Sequence, residues 1–430
     1  MPDGRRPQTP APVLLALVLP ALVVGAGSSL VLLGLSALAG RLDRFWWHYL
    51  PEHGGFAPFA RWWIVVVLAV TGLLVGLAVK LIPGHAGPDP ATVGLGGAPQ
   101  PAGVLPGVAV TAVLALAGGV SLGPENPIIM INIALAFWLG HRLLPRTKPA
   151  LWVGLGVAGT IGALFGTPVA AALILSEQPG RPDQPGALWD RLFAPLVAAT
   201  AGSVTTLVIA GNDFLISLPK YPGARLVDVA WALGLGAFAA LLGLLAVYAF
   251  APLHALFGRV PGGPVVVITL GGLLLGGLGA LGGELTMFKG LDQVKELATS
   301  FGSHSAWALF GMCLVKLVAL LVAATCGFRG GRIFPAVFVG TALGCAASVA
   351  IPDIPVALAV ACSILGVLLA VTRQGWASLF TAAAIVPDTR LLPFLCVAAL
   401  PGWLVVTGRA EMELAPQAAP EPQAPAPAAA

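Results

Sequence analysis

The stretch Gly118-Gly119-Val120-Ser121-Leu122-Gly123-Pro124-Glu125-Asn126-Pro127 places one carboxylate between two prolines, with apolar sequence on either side. A carboxylate inside a membrane is costly to bury and usually functional. Pro127 suits the first turn of a new helix, where its missing N–H is no loss. Glu125 then stands at a helix N-terminus, whose unpaired N–H groups attract anions. Two readings follow. As a gate, ionised Glu125 fills the anion site itself. Protonated or swung away, it yields that site to a mobile anion, which ties anion movement to a proton. As an N-cap, it only stabilises the helix. The membrane context favours the gate.

Two more clusters have residue types suited to anions. In Gly84-His85-Ala86-Gly87-Pro88-Asp89 the glycines let the backbone turn and expose N–H groups, and His85 can donate a hydrogen bond. The alternative is an interfacial loop with Asp89 as a helix cap. Gly330-Gly331-Arg332-Ile333-Phe334-Pro335 repeats the pattern of glycines followed by a helix begun near proline. Arg329 and Arg332 there either anchor topology at the cytoplasmic face or line an anion-attracting vestibule. Glu177 and Gln178 end an apolar segment, as part of a proton path or as headgroup-level residues before a polar, Pro-rich loop. Lys316 interrupts an apolar run, so it either snorkels or is paired within the protein.

The elements that position these residues are membrane helices. The chain of 430 residues is 58% hydrophobic and only 9% charged, against about 25% charged in a soluble domain. Runs such as Val13–Ala39 and Pro264–Gly283 carry no charge and are long enough to span ~30 Å of hydrocarbon. The 55 glycines and 38 prolines cut several of the apolar segments. Non-helical backbone survives at membrane depth only inside protein or beside a water-filled cavity, so these breaks point to a site. The halves echo each other through Gly123/Pro127 and Gly331/Pro335, as expected of an internal repeat with the site between its copies. The net charge of +4 forms no stripe that would suit nucleic acid. The five cysteines have no metal-ligand spacing and read as small buried hydrophobes. An enzyme would need clustered Asp, His or Ser/Lys groups at membrane depth. There are six His in the chain, and no second intramembrane carboxylate lies near Glu125 in sequence.

In order and spacing, three motifs resemble those of the CLC family of chloride channels and chloride/proton antiporters. Within it they resemble most a divergent bacterial branch named only as ion-transport proteins. The family's Gly-Arg/Lys-Glu-Gly-Pro is matched by Gly123-Pro124-Glu125-Asn126-Pro127, with Glu125 on the gating glutamate. Its Gly-Ser-Gly-Ile-Pro is matched by Gly84-His85-Ala86-Gly87-Pro88, with His85 in place of the chloride-coordinating serine. Its Gly-x-Phe-x-Pro is matched by Gly331-Arg332-Ile333-Phe334-Pro335, with Ile333 where Phe is usual. Phe165-Gly166-Thr167-Pro168 resembles the family's Phe-Asn-Ala-Pro. The family's proton-relay glutamate falls on Gln178, just after Glu177, and its pore tyrosine falls near Met412. These departures leave chloride, fluoride and nitrate all open, and leave proton coupling open.

The resemblance covers about residues 13–410 and implies an all-α polytopic membrane protein. Its fold would be CLC-like: two inverted-topology repeats with broken and re-entrant helices, roughly 13–210 and 226–410. A cytoplasmic segment, 1–12, with Arg5 and Arg6 would precede them, and a disordered Ala/Pro-rich tail, 411–430, would follow. The protein would be a homodimer in the bacterial inner membrane with one pore per subunit. It would carry a small anion without cofactor or metal. Amides at Ala86, Gly87, Arg332 and Ile333, with Gly123 and His85, would hold the anion, and Glu125 would gate. The alternative is a secondary transporter of another solute on the same repeats.

Overall fold

The computed structural model describes residues 9–94, 96–145, 147–177, 187–211 and 216–414. Arg5, Arg6, Gln178 and the 415–430 part of the expected tail lie outside them. Within 411–414, also assigned to that tail, Met412 is buried and the Leu414 N–H donates to Ala91 O.

The apolar runs fold as helices, which satisfy their own backbone groups where no water can. The first half contains α1 (Val18–Arg44), α2 (Arg61–Leu81), α3 (Leu105–Ala117), α4 (Glu125–Leu143), α5 (Pro149–Phe165), α6 (Pro168–Glu177) and α7 (Leu188–Ala210). The second contains α8 (Leu226–Gly258), α9 (Gly263–Gly282), α10 (Leu291–Ser300), α11 (Ala306–Thr325), α12 (Ile333–Ala350), α13 (Val356–Thr372), α14 (Gly375–Ile385) and α15 (Leu392–Val406). Among the described residues, eight helices are long and apolar enough to cross a membrane, and several apolar ones are shorter. The protein is a multi-pass membrane protein. The apolar run 151–175 is two helices, because Gly166 turns left-handed (φ +65°) and Pro168 begins α6.

The packing repeats between halves. α1 packs on α5 and α7 as α8 packs on α13 and α15, and α4 lies on α5 as α12 lies on α13. Between the halves, α2 packs closely on α9. A Cβ on Gly72 would lie 2.6 Å from Ile268 O, and one on Gly272 would lie 2.3 Å from Leu68 O. Each glycine thus lets the other helix's backbone approach, as small residues do between membrane helices. The core is centred on α13, buried from Val356 through Val371. The halves also differ. Where the second has α10, the first has only short turns, Pro90–Thr92 and Ala102–Val104.

Candidate functional site

The two glycine motifs meet. Gly123 N–H donates to Gly331 O (2.8 Å) and Gly331 N–H to Gly123 O (2.7 Å), an isolated antiparallel bridge between the halves. From that bridge the chain turns into α4 on one side and α12 on the other, so the two helix N-termini converge. Glu125 opens α4 and is 1% exposed. Its side chain reaches the other helix, where Oε1 accepts from Phe334 N–H at 3.1 Å. The N–H groups of Glu125 itself and Ile333 also face the carboxylate. The carboxylate fills the gap that the bridge glycines leave: a Cβ on Gly123 or Gly331 would lie 2.0 or 1.9 Å from Oε2. Phe334 stacks on Phe165 of the Phe-Gly-Thr-Pro segment, with ring centroids 6.3 Å apart. A carboxylate held by amides of the opposite helix uses the same N–H groups by which helix N-termini bind anions.

The Gly84–Gly87 cluster is a left-handed turn, with φ between +51° and +83° at all four residues. His85 Nδ1 lies 2.9 Å from Val79 O, His85 N–H donates to Ile82 O, and Gly87 N–H donates to Gly84 O. Outward, the turn offers carbonyls: Arg329 donates to His85 O, Ala86 O and Gly87 O. Arg329 thus joins the turn to the loop that carries Gly331, while the His85 ring and amide bond back to the end of α2 and the Gly87 amide bonds within the turn.

Arg332 donates to Pro90 O and Met412 O and covers the Phe250 ring. Beside it lies a cavity of about 100 Å³, lined by Asn126, Arg332, Ile333, Arg373, Met412 and Glu413 among others. Asn126 follows Glu125 in sequence and Ile333 precedes its donor Phe334, so the cavity abuts the site. Burial pushes the Glu413 carboxyl above the usual carboxylate range, against the pull of Arg332. Glu177 Oε1 accepts from Trp376 N–H and caps α14, beside the cavity-lining Gln374.

The structure therefore brings together Gly123, Glu125, Arg332 and Ile333, and His85, Ala86 and Gly87 lie on the turn that Arg329 joins to the Gly331 loop. Sequence reasoning missed Phe334 as the hydrogen-bond donor. It took the second helix to begin near Pro335, but α12 begins at Ile333, so the donor moves one residue on. It also missed Arg373, a left-handed cap of α13 (φ +57°) that donates to Val406 O and Ala410 O. No residue-type pattern announces that conformation.

Residues 71–407 match the family described as "Voltage gated chloride channel". The "Putative ion-transport protein YfeO" of Salmonella choleraesuis (strain SC-B67) is 49% identical over 400 residues, covering 93% of this chain and 96% of that protein. The protein of the same name from Salmonella typhimurium is also 49% identical over 400 residues, with the same coverage. Among solved structures, a slow cyanobacterial Cl-/H+ antiporter superposes with a TM-score of 0.77 at 19% identity, over 92% of this chain and 95% of that one. A CLC-type fluoride/proton antiporter superposes with a TM-score of 0.74 at 19% identity, over 94% and 98%.

Proposed function

This chain belongs to the voltage-gated chloride channel family, and on that premise we propose that it carries a small inorganic anion across the membrane past Glu125. The observation that carries this reading is the Glu125 carboxylate on the Phe334 N–H, between the bridge glycines of both halves. The carboxylate is the site's own anion. When it is protonated or withdrawn, the amides of Ile333 and Phe334 are left facing the cavity beside Asn126, and a mobile anion takes its place. Helix N-termini stabilise that anion without a full counter-charge at contact.

The fluoride/proton and Cl-/H+ antiporters among its structural neighbours support chloride and fluoride as the first anions to test. Nitrate is the third. Glu125 and Glu177 supply carboxylates for coupled proton movement, Glu177 from its position beside Gln374. Arg332 and Arg373 draw anions into the cavity. His85, Ala86 and Gly87 act as wall. The protein works as a homodimer in the bacterial inner membrane, with its N-terminus in the cytoplasm.

The test is efflux of chloride, fluoride and nitrate from reconstituted liposomes, with pH recorded alongside. The wild type moves at least one of the three, and Glu125→Gln abolishes the pH dependence of that flux. Absence of flux for all three anions, or an unchanged pH profile in Glu125→Gln, overturns the reading. Proton movement in fixed ratio to the anion identifies an exchanger.

A further inference from the structure

Lys316 sits mid-helix in α11 and is 0% exposed. Its Nζ donates to three consecutive carbonyls, Thr286 O (3.2 Å), Met287 O (2.7 Å) and Phe288 O (2.6 Å). An ammonium has three N–H donors and no acceptor, so three carbonyls complete it. A neutral amine would turn a lone pair on one of those oxygens. The cradle is therefore built for the charged form. Among the described residues no carboxylate forms an ion pair with Lys316, so the ammonium that this cradle suits has carbonyls, and no counter-ion, at contact.

That charge lies behind the anion site. A Cβ on Gly290 would be 3.3 Å from Phe334 O and 3.6 Å from Lys316 Cε. Nζ is 5.4 Å from the ring centroid of Phe338, one turn further along α12. Lys316 thus backs the same first turn of α12 that presents Phe334 N–H to Glu125, with the helix, ~10 Å across, between them. Lys289 is the alternative cation and acts on the Glu125 carboxylate through space, but it is partly exposed and 3.5 Å from Asp292, which offsets it.

Resting on the Glu125 reading above, we propose that Lys316 is the fixed counter-charge of the site and sets its preference for one monovalent anion. With Glu125 ionised, the two charges sum to zero. When Glu125 leaves, the positive charge remains, and one anion restores neutrality where a neutral solute would not. A unit charge ~10 Å away at an effective dielectric of ~20 changes anion affinity about 10- to 20-fold.

The experiment measures chloride KM and maximal rate in reconstituted liposomes, with fluoride or nitrate as the probe if the wild type prefers it. Lys316→Gln removes the charge and keeps an N–H donor. Phe338→Glu leaves Lys316 in its cradle and puts a carboxylate beside it. Both raise KM about 10- to 20-fold. Lys316→Arg and Phe338→Gln, which keep the charge, stay within about threefold. Wild-type KM in a folded Lys316→Gln protein, or equal shifts for Phe338→Glu and Phe338→Gln, overturns the proposal. Nitrogen-15 NMR of lysine-labelled wild type needs no variant to fold, and a neutral amine at Lys316 near pH 7 overturns it equally. A wild type that moves none of the three anions fails the Glu125 reading first, which separates the two failures.

Discussion

The chain leaves α2 at Leu81 and α9 at Gly282, and in each half the fourth to sixth residues onward face three carbonyls toward one cation. In the first half the carbonyls are those of His85, Ala86 and Gly87 and the cation is Arg329. In the second they are those of Thr286, Met287 and Phe288 and the cation is Lys316. Both turns contain left-handed residues, which aim successive carbonyls the same way and leave no helical N–H to meet them. The halves thus met one backbone problem with two answers. Arg329 is partly exposed, interacts with Asp89, and spreads its charge over a planar fork. Lys316 is sealed, and an ammonium concentrates charge at a point. The first answer fastens a turn near the surface. The second fastens a turn and, on the proposal for Lys316, also leaves a field in the interior.

That contrast can be broken most directly by removing each cation. Lys316→Met leaves three buried carbonyls without a donor and is expected to lower stability by about 3–5 kcal/mol. Arg329→Met, where water reaches the turn, should cost about 1–2 kcal/mol. Thermal or denaturant unfolding in detergent reads both, and equal losses would dissolve the distinction.

Next come the glycines under each cation. A Cβ on Gly290 (φ +103°) meets Phe338 Cβ at 3.2 Å and Phe334 O at 3.3 Å, whereas one on Gly87 (φ +83°) meets the flexible Met130 Sδ at 3.1 Å. Gly290→Ala should therefore cost about 2–3 kcal/mol and Gly87→Ala about 1–2 kcal/mol, both including the left-handed penalty. A smaller effect is expected at His85, whose ring has Val79 O as its partner. His85→Ala should cost about 1 kcal/mol and leave chloride KM within about twofold. A large KM change would make His85 a ligand rather than part of the wall.

Acid supplies the smallest effect, from a pair outside both turns. Arg390 holds the Asp388 carboxyl down to about 2. Its contribution is present above the ordinary carboxylate range near 4 and fades as pH falls through about 2. Asp388→Asn should flatten that stretch of the stability–pH curve and leave the contrast between the two turns unchanged.

The fold was legible because membrane helices are announced by length and charge alone, and the broken ones by Gly and Pro. Glu125, Gly123 and Gly331 were legible because a carboxylate between prolines in apolar sequence has few bland explanations. Lys316 could be seen as an interruption but not assigned. Its partners lie about 30 residues earlier in sequence, and they face it only because of a left-handed Phe288 that no residue pattern predicts. The Gly84–Gly87 turn was half legible in the same way. Its glycines signal a turn, but composition does not say that the carbonyls of His85, Ala86 and Gly87 meet Arg329. Pro168 signalled the end of a helix inside the apolar run, and the left-handed Gly166 just before it makes the break.

The bridge between Gly123 and Gly331 has a mechanical consequence. Two hydrogen bonds rivet the halves together beside the Glu125 carboxylate. A carrier whose halves rock apart around its cargo would have to break that rivet in every cycle. The gate proposed for Glu125 asks for no such break: its moving part would shrink from half a protein to a single side chain swinging on a stationary frame.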